Sequence, residues 1–378
     1  MEKNLNNKKR KIAVLHPSFG WGGAEALCVW VVYALKDEFD IDLIVTTEEN
    51  VNTLKINKFF GTNFRENDFS IIRLKYPVSG YILNSHLIQR YFKFNSKKYY
   101  FVISTNNEMD FGKKGIQYIH YPVLNIAKEE TNIVKKLYNN FSSCLSGYKE
   151  EKMKENFTIT NSYWTKKKIK EAYGIECEVV YPSTVSKFPF VEWEEKEEGF
   201  ICLGRIAPEK NLDIIINILS EVRKEFPDIH LHIIGHVQNR NYFLKIKKMI
   251  KKRSSWIYFS GDLTREEINK YLINHKYGIH GMKNEHFGIV LVEMIQAGSI
   301  IFIPNGGGQI EIVNNKRLIY SNEIDAVRKI KNVLRNNTLQ KTLLFELRQR
   351  RKIFSRDRFV KQIKQLINKY LNKLYHNN

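Results

Sequence analysis

The stretch Glu285–Glu293, EHFGIVLVE, decides how this 378-residue chain is interpreted. It follows a short apolar run at residues 277–280, which predicts a buried strand, and from Phe287 onward it predicts a helix. Strand, loop and helix in this order are typical of a parallel βαβ unit. The first turn of such a helix has free N–H groups that suit an anion such as a diphosphate. Gly288 would let that ligand approach the backbone closely.

The same stretch has a glutamate at each end. Glu285 lies in the loop, where its carboxylate is placed to bind sugar hydroxyls. Glu293 lies about two turns into the predicted helix, where it is placed to accept hydrogen bonds from a ribose. Spacing alone equally fits an ordinary amphipathic helix with two solvated glutamates. The loop position and the neighbouring glycine favour the binding interpretation.

The alternation of apolar strands and amphipathic helices extends over most of the chain. Besides residues 277–280, strands are predicted at 11–15, 41–46, 69–74, 100–104, 117–120, 157–160, 200–203, 230–234, 256–259 and 300–303. Residues 181–196 contain two prolines and run into the acidic stretch 192–198, which predicts an interdomain linker. The pattern predicts an α/β protein with two doubly wound halves and a helical tail. Ligands of such halves bind beyond the carboxyl ends of the strands.

A second loop, GRIAPEKN at residues 204–211, follows the predicted strand at 200–203. Arg205 and Lys210 are placed to converge on a pyrophosphate, because a guanidinium offers a fork of donors and an ammonium a point charge. Fixed cations here would also stabilise the charge on a departing nucleoside diphosphate. Two surface cations near a helix start fit the same pattern, so this loop alone leaves both interpretations open.

Three further loops follow predicted strands, and each is weak evidence alone. The turn FGWGGAE at residues 19–25 would let a phosphate or an acceptor approach, although it matches neither GxGxxG nor a Walker sequence. His120 ends the strand at 117–120, where a functional and a structural role are both open. The run NGGG at 305–308 fits either close approach to a ligand or a flexible loop.

Together these strings resemble the retaining glycosyltransferases of family 4, which have the GT-B fold. The matching strings are GGAE at 22–25, YIHYP at 118–122, TNS at 160–162, GRIAPEKN at 204–211 and EHFGIVLVE at 285–293. The resemblance implies two Rossmann-like domains facing each other across a cleft. Residues 1–181 would form the acceptor-side domain and 182–355 the nucleotide-sugar domain. Residues 356–378 would form a helix that packs back toward the N-terminal domain.

The resemblance also implies the roles of single residues. Arg205 and Lys210 would hold the donor diphosphate, Glu293 the ribose and Glu285 the donor sugar. His120 would contact that sugar near the reacting centre, so the implied catalytic set is His120, Glu285, Arg205 and Lys210. The other donor-binding positions are Gly22, Gly23, Gly235, Leu263, Phe287, Gly288 and Ile289. No obligatory metal or other cofactor is implied, because the Arg/Lys pair takes the place of the metal.

The tract around His286 looks particularly like the mannosyltransferases that extend lipid-linked oligosaccharides through α-1,2 linkages. This chain is expected to differ from them in lacking an N-terminal membrane anchor, and its Gly-Gly-Gly at 306–308 replaces their Ser/Thr-Gly-Gly-Pro. The resemblance implies transfer of a hexose of mannose or glucose type. The donor would be a GDP- or UDP-sugar and the acceptor a glycan or a lipid-linked molecule.

Composition and charge bear on the partners and the location of the protein. The formal net charge of +21 implies an anionic partner, unless codon bias alone supplies the lysines. Two stretches, 82–94 and 348–369, fit peripheral contact with an anionic membrane or ordinary solvated helix faces. No apolar run reaches ~20 residues and no signal core follows the basic N-terminus, which predicts a cytoplasmic protein. The four scattered cysteines are expected to be reduced thiols.

Other functions fit the same scaffold. A non-catalytic sensor or scaffold for sugar nucleotides would not need Glu285, Arg205 and Lys210 together, and all three are present. A sugar-nucleotide epimerase is a second alternative. A phosphorylase would need a cofactor lysine site and a much longer chain. Nucleic acid is not an expected partner, because no recognised nucleic-acid module accompanies the charge.

Overall fold

The computed structural model describes residues 9–17, 19–46, 51–75, 80–128, 131–184 and 188–376. The basic segment at residues 1–8 lies outside them, as do residues 185–187 of the predicted linker. The chain divides into two compact units. Unit 1 comprises residues 1–185 and 356–378, and unit 2 comprises residues 186–355.

Unit 1 contains a parallel sheet with helices between its strands. In the described part of the chain the strands are β1 (Arg10–His16), β2 (Phe39–Val45), β3 (Ser70–Arg73), β4 (Val102–Ser104), β5 (Ile116–Ile119), β6 (Phe157–Thr160) and β7 (Glu178–Val179). The helices are α1 (Gly23–Leu35), α2 (Thr53–Phe60), α3 (Tyr81–Asn95), α4 (Val123–Lys128), α5 (Ile133–Ser146), α6 (Glu150–Lys154) and α7 (Tyr163–Tyr173). The strand order is β3-β2-β1-β4-β5-β6-β7. Apolar residues of β1 are fully buried because the strand is central and covered on both faces.

Unit 2 repeats this architecture. Its described strands are β8 (Glu197–Leu203), β9 (His230–Ile234), β10 (Ile257–Gly261), β11 (His275–Ile279), β12 (Ile300–Pro304) and β13 (Ile319–Tyr320). Its helices are α8 (Leu212–Arg223), α9 (Arg240–Lys251), α10 (Arg265–Asn274), α11 (Ile289–Ala297), α12 (Gln309–Val313), α13 (Glu323–Arg335) and α14 (Asn337–Arg351). The strands pair in parallel, in the order β10-β9-β8-β11-β12-β13.

The last helix, α15 (Arg356–His376), belongs to unit 1. Phe359, Ile363 and Ile367 are buried in the same apolar cluster as residues of β1 and α1. The apolar residues of α15 recur at helical spacing, so they form a stripe that this core covers. Lys361, Lys369 and Lys373 of this helix are exposed, whereas Arg358 is half-buried and donates to the backbone carbonyl of Tyr181.

The predicted α/β architecture with two doubly wound sheets is confirmed. Each predicted strand is present within a few residues of its expected bounds, whereas the two-residue strands β7 and β13 were missed because they are too short for a pattern. The prediction that Phe287 starts a helix was wrong by two residues: α11 begins at Ile289, because Gly288 is left-handed (φ +99°). Glu197 and Glu198, interpreted as part of the acidic linker stretch, begin β8.

The strand order reverses between β8 and β11 in unit 2, and between β1 and β4 in unit 1. Doubly wound sheets bind ligands beyond the carboxyl ends of the strands at such a reversal. In unit 2 the loops that leave this point are residues 204–211 and 280–288. The topology therefore brings the two strongest sequence motifs to the same place.

Candidate functional site

Close backbone packing joins the loops of unit 2. Gly204 and Gly235 follow β8 and β9 with positive φ, and a Cβ on Gly235 would lie 2.0 Å from the carbonyl oxygen of Gly204. A Cβ on Gly281 would lie 2.4 Å from the carbonyl oxygen of Lys210. The side-chain amide of Asn211, itself left-handed, donates to the carbonyl of Gly281 at 2.9 Å. These contacts require glycine and fix the loop 204–211 against the loop 280–288.

A buried ion pair connects the two motifs. Lys210 Nζ lies 2.6 Å from Oε2 of Glu285, and their side chains are only 13% and 16% exposed. Nε2 of His280, at the end of β11, lies 3.2 Å from the same carboxylate oxygen. The hydroxyl of Tyr320 donates to the backbone carbonyl of His280 at 2.5 Å. The structure thus brings Lys210 and Glu285 together and adds His280, which sequence reasoning missed.

This environment fixes the charge on Glu285. Burial by itself would raise the pKa of Glu285, but the hydrogen bond from His280 and the charge of Lys210 outweigh it and hold the pKa well below its usual range. Burial lowers the pKa of the neighbouring His286, so that imidazole is neutral at pH 7. Glu285 is therefore an ionised acceptor of hydrogen bonds at neutral pH. It has no proton to give as a general acid.

The loop that carries Glu285 is held by Gln309, the first residue of α12. Gln309 is fully buried, and its side-chain Nε2 lies 2.8–3.3 Å from four backbone carbonyl oxygens. They belong to Met282, Lys283, Pro304 and Gly306. One amide thereby ties the loop after β11 to the loop after β12. No sequence motif pointed to this residue, because its partners are backbone groups.

The glycine run at 306–308 completes this clamp. A Cβ on Gly306 would lie 2.4 Å from the carbonyl oxygen of Lys283, and one on Gly307 would lie 2.2 Å from that of Glu285. The amide of Gly308 donates to the Glu285 carbonyl at 2.8 Å. The interpretation of this run as a flexible loop was wrong. The glycines let it pack on the backbone of the Glu285 loop.

Helix α11 starts beside this pair. Its N-cap, Gly288, has no side chain to satisfy the amides of the first turn, which start at Ile289. The ring of Phe287 is buried and meets Phe354 edge to face, with centroids 6.1 Å apart. The start of α11 is therefore a fixed end with backbone donors, as the binding of an anion requires.

Glu293 lies one turn into α11, rather than the two turns expected. Its carboxylate is buried and forms an ion pair with both terminal nitrogens of Arg265, the first residue of α10. Arg265 was not singled out from the sequence, because it is 28 positions away. The contact between Glu293 and a ribose stays a prediction. A ribose bound there would share the carboxylate with Arg265.

The remaining residues of unit 2 that the resemblance assigns to the donor follow the ends of strands. The side chain of Arg205 is 56% exposed, is bonded to Gln238 and lies 3.7 Å from Glu209. Arg205 and Lys210 thus bind different partners, and their convergence on one pyrophosphate stays a prediction. Leu263, two residues beyond β10, is half-buried.

In unit 1, His120 follows β5 and is fixed by the loop after β4. Its Nε2 lies 3.1 Å from the carbonyl oxygen of Thr105, and its backbone amide donates to the side chain of Asn107 at 2.8 Å. A carbonyl only accepts, so Nε2 carries the proton in this contact. Asn107 is left-handed (φ +66°). The ring orientation of His120 is thereby set by its own unit.

The glycine turn of unit 1 is tied to the same loop. The carboxylate of Glu25 accepts from the amides of Gly20 at 3.2 Å and of Gly22 at 3.0 Å. His16, fully buried at the end of β1, lies 3.5 Å from Glu25 and 2.9 Å from the hydroxyl of Thr105. Burial alone would raise the pKa of Glu25, but His16 lowers it to about 2. A chain of contacts therefore runs from the turn that includes Gly22 and Gly23 to Thr105, the residue that holds His120.

The backbone of the chain resembles solved structures over most of its length, and one of them is a glycosyltransferase. WaaG, a glycosyltransferase involved in lipopolysaccharide biosynthesis, superposes with a TM-score of 0.71, covering 93% of this chain and 99% of that chain at 11% identity. Anabaena HepE, solved with UDP and glucose, gives a TM-score of 0.68 over 95% of this chain and 99% of that chain at 14% identity. The chain has the GT-B fold. At these identities the likeness concerns the fold alone.

Residues 183–358 of this GT-B chain match the family of glycosyl transferases group 1. Curated relatives include the GDP-Man:Man(3)GlcNAc(2)-PP-Dol alpha-1,2-mannosyltransferase of Homo sapiens, which is 28% identical over 167 residues. That match covers 40% of this chain and 34% of the relative. The Caenorhabditis elegans enzyme of the same description is 26% identical over 240 residues, covering 52% of this chain and 50% of the relative. The chain thus spans between about a third and half of these relatives.

Proposed function

We propose that this protein is a retaining glycosyltransferase of family 4 that moves a hexose from a nucleotide diphosphate sugar to a glycan or lipid-linked acceptor. One observation carries the proposal. The Lys210–Glu285 pair, with His280 on the same carboxylate, lies where the strand order of unit 2 reverses. A cation, an ionised carboxylate and the start of α11 lie close together there, which supports the binding of a nucleotide diphosphate sugar.

In this proposal each group acts on the donor by charge and position. Lys210, Arg205 and the amides at Ile289 stabilise the diphosphate as the bond between sugar C1 and the phosphate oxygen breaks. The acceptor hydroxyl attacks C1 from the face that the diphosphate leaves, and its proton passes to a phosphate oxygen. Glu285 accepts hydrogen bonds from the sugar hydroxyls, since its low pKa excludes it as an acid. Glu293 binds the ribose.

We propose that the reaction has no obligatory metal or cofactor, because fixed cations from Lys210 and Arg205 perform the neutralisation that a metal would provide. The donor is a GDP- or UDP-sugar. The names of the two mannosyltransferases reported above begin with GDP-Man, which favours GDP-mannose as the donor. From unit 1, His120 contacts the donor sugar near the reacting centre. Gly22 and Gly23 border the diphosphate and the acceptor.

A donor panel tests this proposal. The purified protein is incubated with GDP-mannose, GDP-glucose, UDP-glucose, UDP-galactose and UDP-N-acetylglucosamine, and nucleoside diphosphate release is measured with and without lipid-linked acceptors. We expect turnover with at least one donor, fastest with GDP-mannose, and product anomers of the same configuration as the donor. Tight nucleotide binding without turnover of any donor would favour a sensor instead.

We further propose peripheral contact with an anionic membrane, through helix α5. This helix buries Ser142 and Ser146 and turns its apolar residues outward. Ile133, Val134, Leu137 and Phe141 are 63–75% exposed. An apolar helix face flanked by lysines, in a chain of net charge +21, fits the surface of an anionic bilayer.

The two stretches suggested by the sequence fit less well. Helix α3, which includes all of residues 82–94, buries Leu83, Ile88 and Phe92 and packs on α5. The apolar stripe of α15 is buried in the core of unit 1. Among the described residues, none of the helices has both the length and the apolar character that spanning a bilayer requires.

Vesicle sedimentation tests the role of α5. The Leu137→Ser/Phe141→Ser variant is compared with the intact chain on vesicles with and without phosphatidylglycerol. We expect binding to anionic vesicles only, weakened at least tenfold in the variant. Ile324→Ser is the control, because it removes an 82% exposed apolar side chain from unit 2. Equal losses in both variants, or no binding of the intact chain, would contradict the proposal.

A further inference from the structure

Three histidines and a glutamate lie together at the amino-terminal edge of the unit 2 sheet. The loops 204–211 and 280–288 leave the opposite edge. Glu197 begins β8, His230 and His232 lie on β9, and His275 begins β11. One potential ligand atom from each of them lies within 4.8 Å of the other three. The proposed transfer reaction uses none of these residues.

The strand register creates the cluster. Parallel pairing sets His275 opposite Glu197, and His230 opposite Gly199. His230 and His232 are two positions apart on one strand, so their side chains share a face of the sheet. Strand β8 lies between β9 and β11, and the three strand starts therefore direct these side chains to one point.

The spacing of the ligand atoms fits a tetrahedral metal ion. Nε2 of His230 lies 3.3 Å from Nε2 of His275 and 3.2 Å from Oε2 of Glu197. The distance from that oxygen to Nε2 of His275 is 3.8 Å. Zinc bonds of ~2.0–2.1 Å in a tetrahedron place neighbouring ligand atoms roughly 3.3 Å apart. Three of the ligand atoms thus already approximate one face of a zinc tetrahedron.

A hydrogen bond outside the cluster sets the tautomer of His275. Its Nδ1 lies 2.8 Å from the backbone carbonyl oxygen of Tyr271 on α10. The carbonyl only accepts, so Nδ1 carries the proton and Nε2 presents its lone pair to the cluster. Histidines that bind metals are usually oriented by such a bond from the other ring nitrogen.

Two further features favour a ligand over mere packing. A Cβ on Gly199 would lie 2.2 Å from Nε2 of His230 and 2.7 Å from Cδ2 of His275, so glycine is required where the rings meet. His232 stacks on Tyr258, and its buried Nδ1 has no hydrogen-bond partner in the described part of the chain. A buried nitrogen without a partner costs stability, unless a ligand occupies its lone pair.

We propose that Glu197, His230, His232 and His275 bind one Zn²⁺ ion. Imidazole and carboxylate ligands suit this metal, and four protein ligands form a closed site that stabilises structure rather than reacting with substrate. The ion would join the starts of β8, β9 and β11. This site is independent of the proposed transferase activity, because it lies at the other edge of the sheet.

Metal analysis of the tag-free full chain tests the site. Chelator-treated protein is titrated with Zn²⁺ and then analysed by mass spectrometry for bound metal after desalting. We expect one equivalent of zinc, a higher Tm with zinc than without, and visible absorption typical of tetrahedral coordination when Co²⁺ is bound instead. The Co²⁺ spectrum requires no substitution, so it decides the question even where a variant folds poorly.

Matched variants locate the ion. His230→Gln and His275→Gln each remove one ligand. Loss of a group that only orients a ligand weakens metal binding by up to about 100-fold, so loss of a ligand itself should weaken zinc binding at least that much. His236→Gln is the control, because this exposed histidine pairs with Asp262 at 2.9 Å outside the cluster. Less than half an equivalent of zinc in the intact chain would overturn the proposal. Unchanged affinity in both ligand variants would do so as well.

Discussion

Replacing Lys210 by methionine is the sharpest perturbation of the candidate site. Methionine keeps most of the aliphatic stem and removes the charge that lies 2.6 Å from Glu285. If the Lys210 charge stabilises a leaving diphosphate, Lys210→Met should lower kcat about 10²–10³-fold, as removal of one preorganised donor does. That loss corresponds to about 3–4 kcal/mol of transition-state stabilisation.

The same change should also lower the free energy of unfolding. Removing one partner of a buried ion pair costs about 3–5 kcal/mol. Glu285 keeps its contact with His280 at 3.2 Å, so we expect the lower end of that range. Urea unfolding monitored by tryptophan fluorescence measures this loss. Turnover is therefore assayed at a temperature where both proteins are fully folded.

The matched control is Lys245→Met. Lys245 lies at the same 2.6 Å distance from its partner Asp213, but their side chains are 59% and 26% exposed. An exposed pair of this kind contributes about 0.2–1 kcal/mol. Full activity in Lys210→Met, or equal losses of stability in Lys210→Met and Lys245→Met, would contradict the role proposed for the buried Lys210 charge.

Three further predictions concern other parts of the molecule. Gly307→Ala should lower the free energy of unfolding in urea by at least about 2 kcal/mol more than Gly174→Ala does. Both glycines are left-handed, but only at Gly307 does a backbone atom lie within 3 Å of the new Cβ. Equal losses would argue against the clamp at residues 306–308. Burial raises the pKa of Glu108 from 4.5 to about 7, so its contribution to stability, present below pH 4.5, should fall by about 3 kcal/mol as the pH rises to 7. The difference between wild type and Glu108→Gln measures this, and a difference independent of pH would contradict it. Arg265→Gln should lower the free energy of unfolding by about 3 kcal/mol, and the double variant Arg265→Gln/Glu293→Gln should lower it by less, because no unpaired buried charge remains. A double variant that loses more stability than Arg265→Gln would contradict this.

The sheets can be predicted from the sequence, because a buried parallel strand produces an apolar run whichever strands it pairs with. The runs at β1, β8 and β12 are of this kind, and loops after such strands meet at one edge by topology alone. Lys210 and Glu285 were found for this reason. Their roles were inferred from two short motifs, residues 204–211 and 285–293, whose residues lie close together along the chain.

Contacts between distant groups could not be predicted. Gln309 acts through backbone carbonyls of two loops, and Arg265 reaches Glu293 from another helix. The outward apolar face of α5 was missed because a periodic pattern does not tell which side packs. The histidine cluster needs the register of three strands, which a single sequence does not provide.

Donor turnover shows whether Lys210 and Glu285 belong to a transferase site. Nucleoside diphosphate release is measured for the intact chain, Lys210→Met and Glu285→Gln across the donor panel, with nucleotide affinity measured in parallel. We expect transfer or hydrolysis of at least one nucleotide sugar by the intact chain, with losses of at least about 100-fold in both variants. Tight nucleotide binding without turnover of any donor, or turnover that both variants retain, would contradict it.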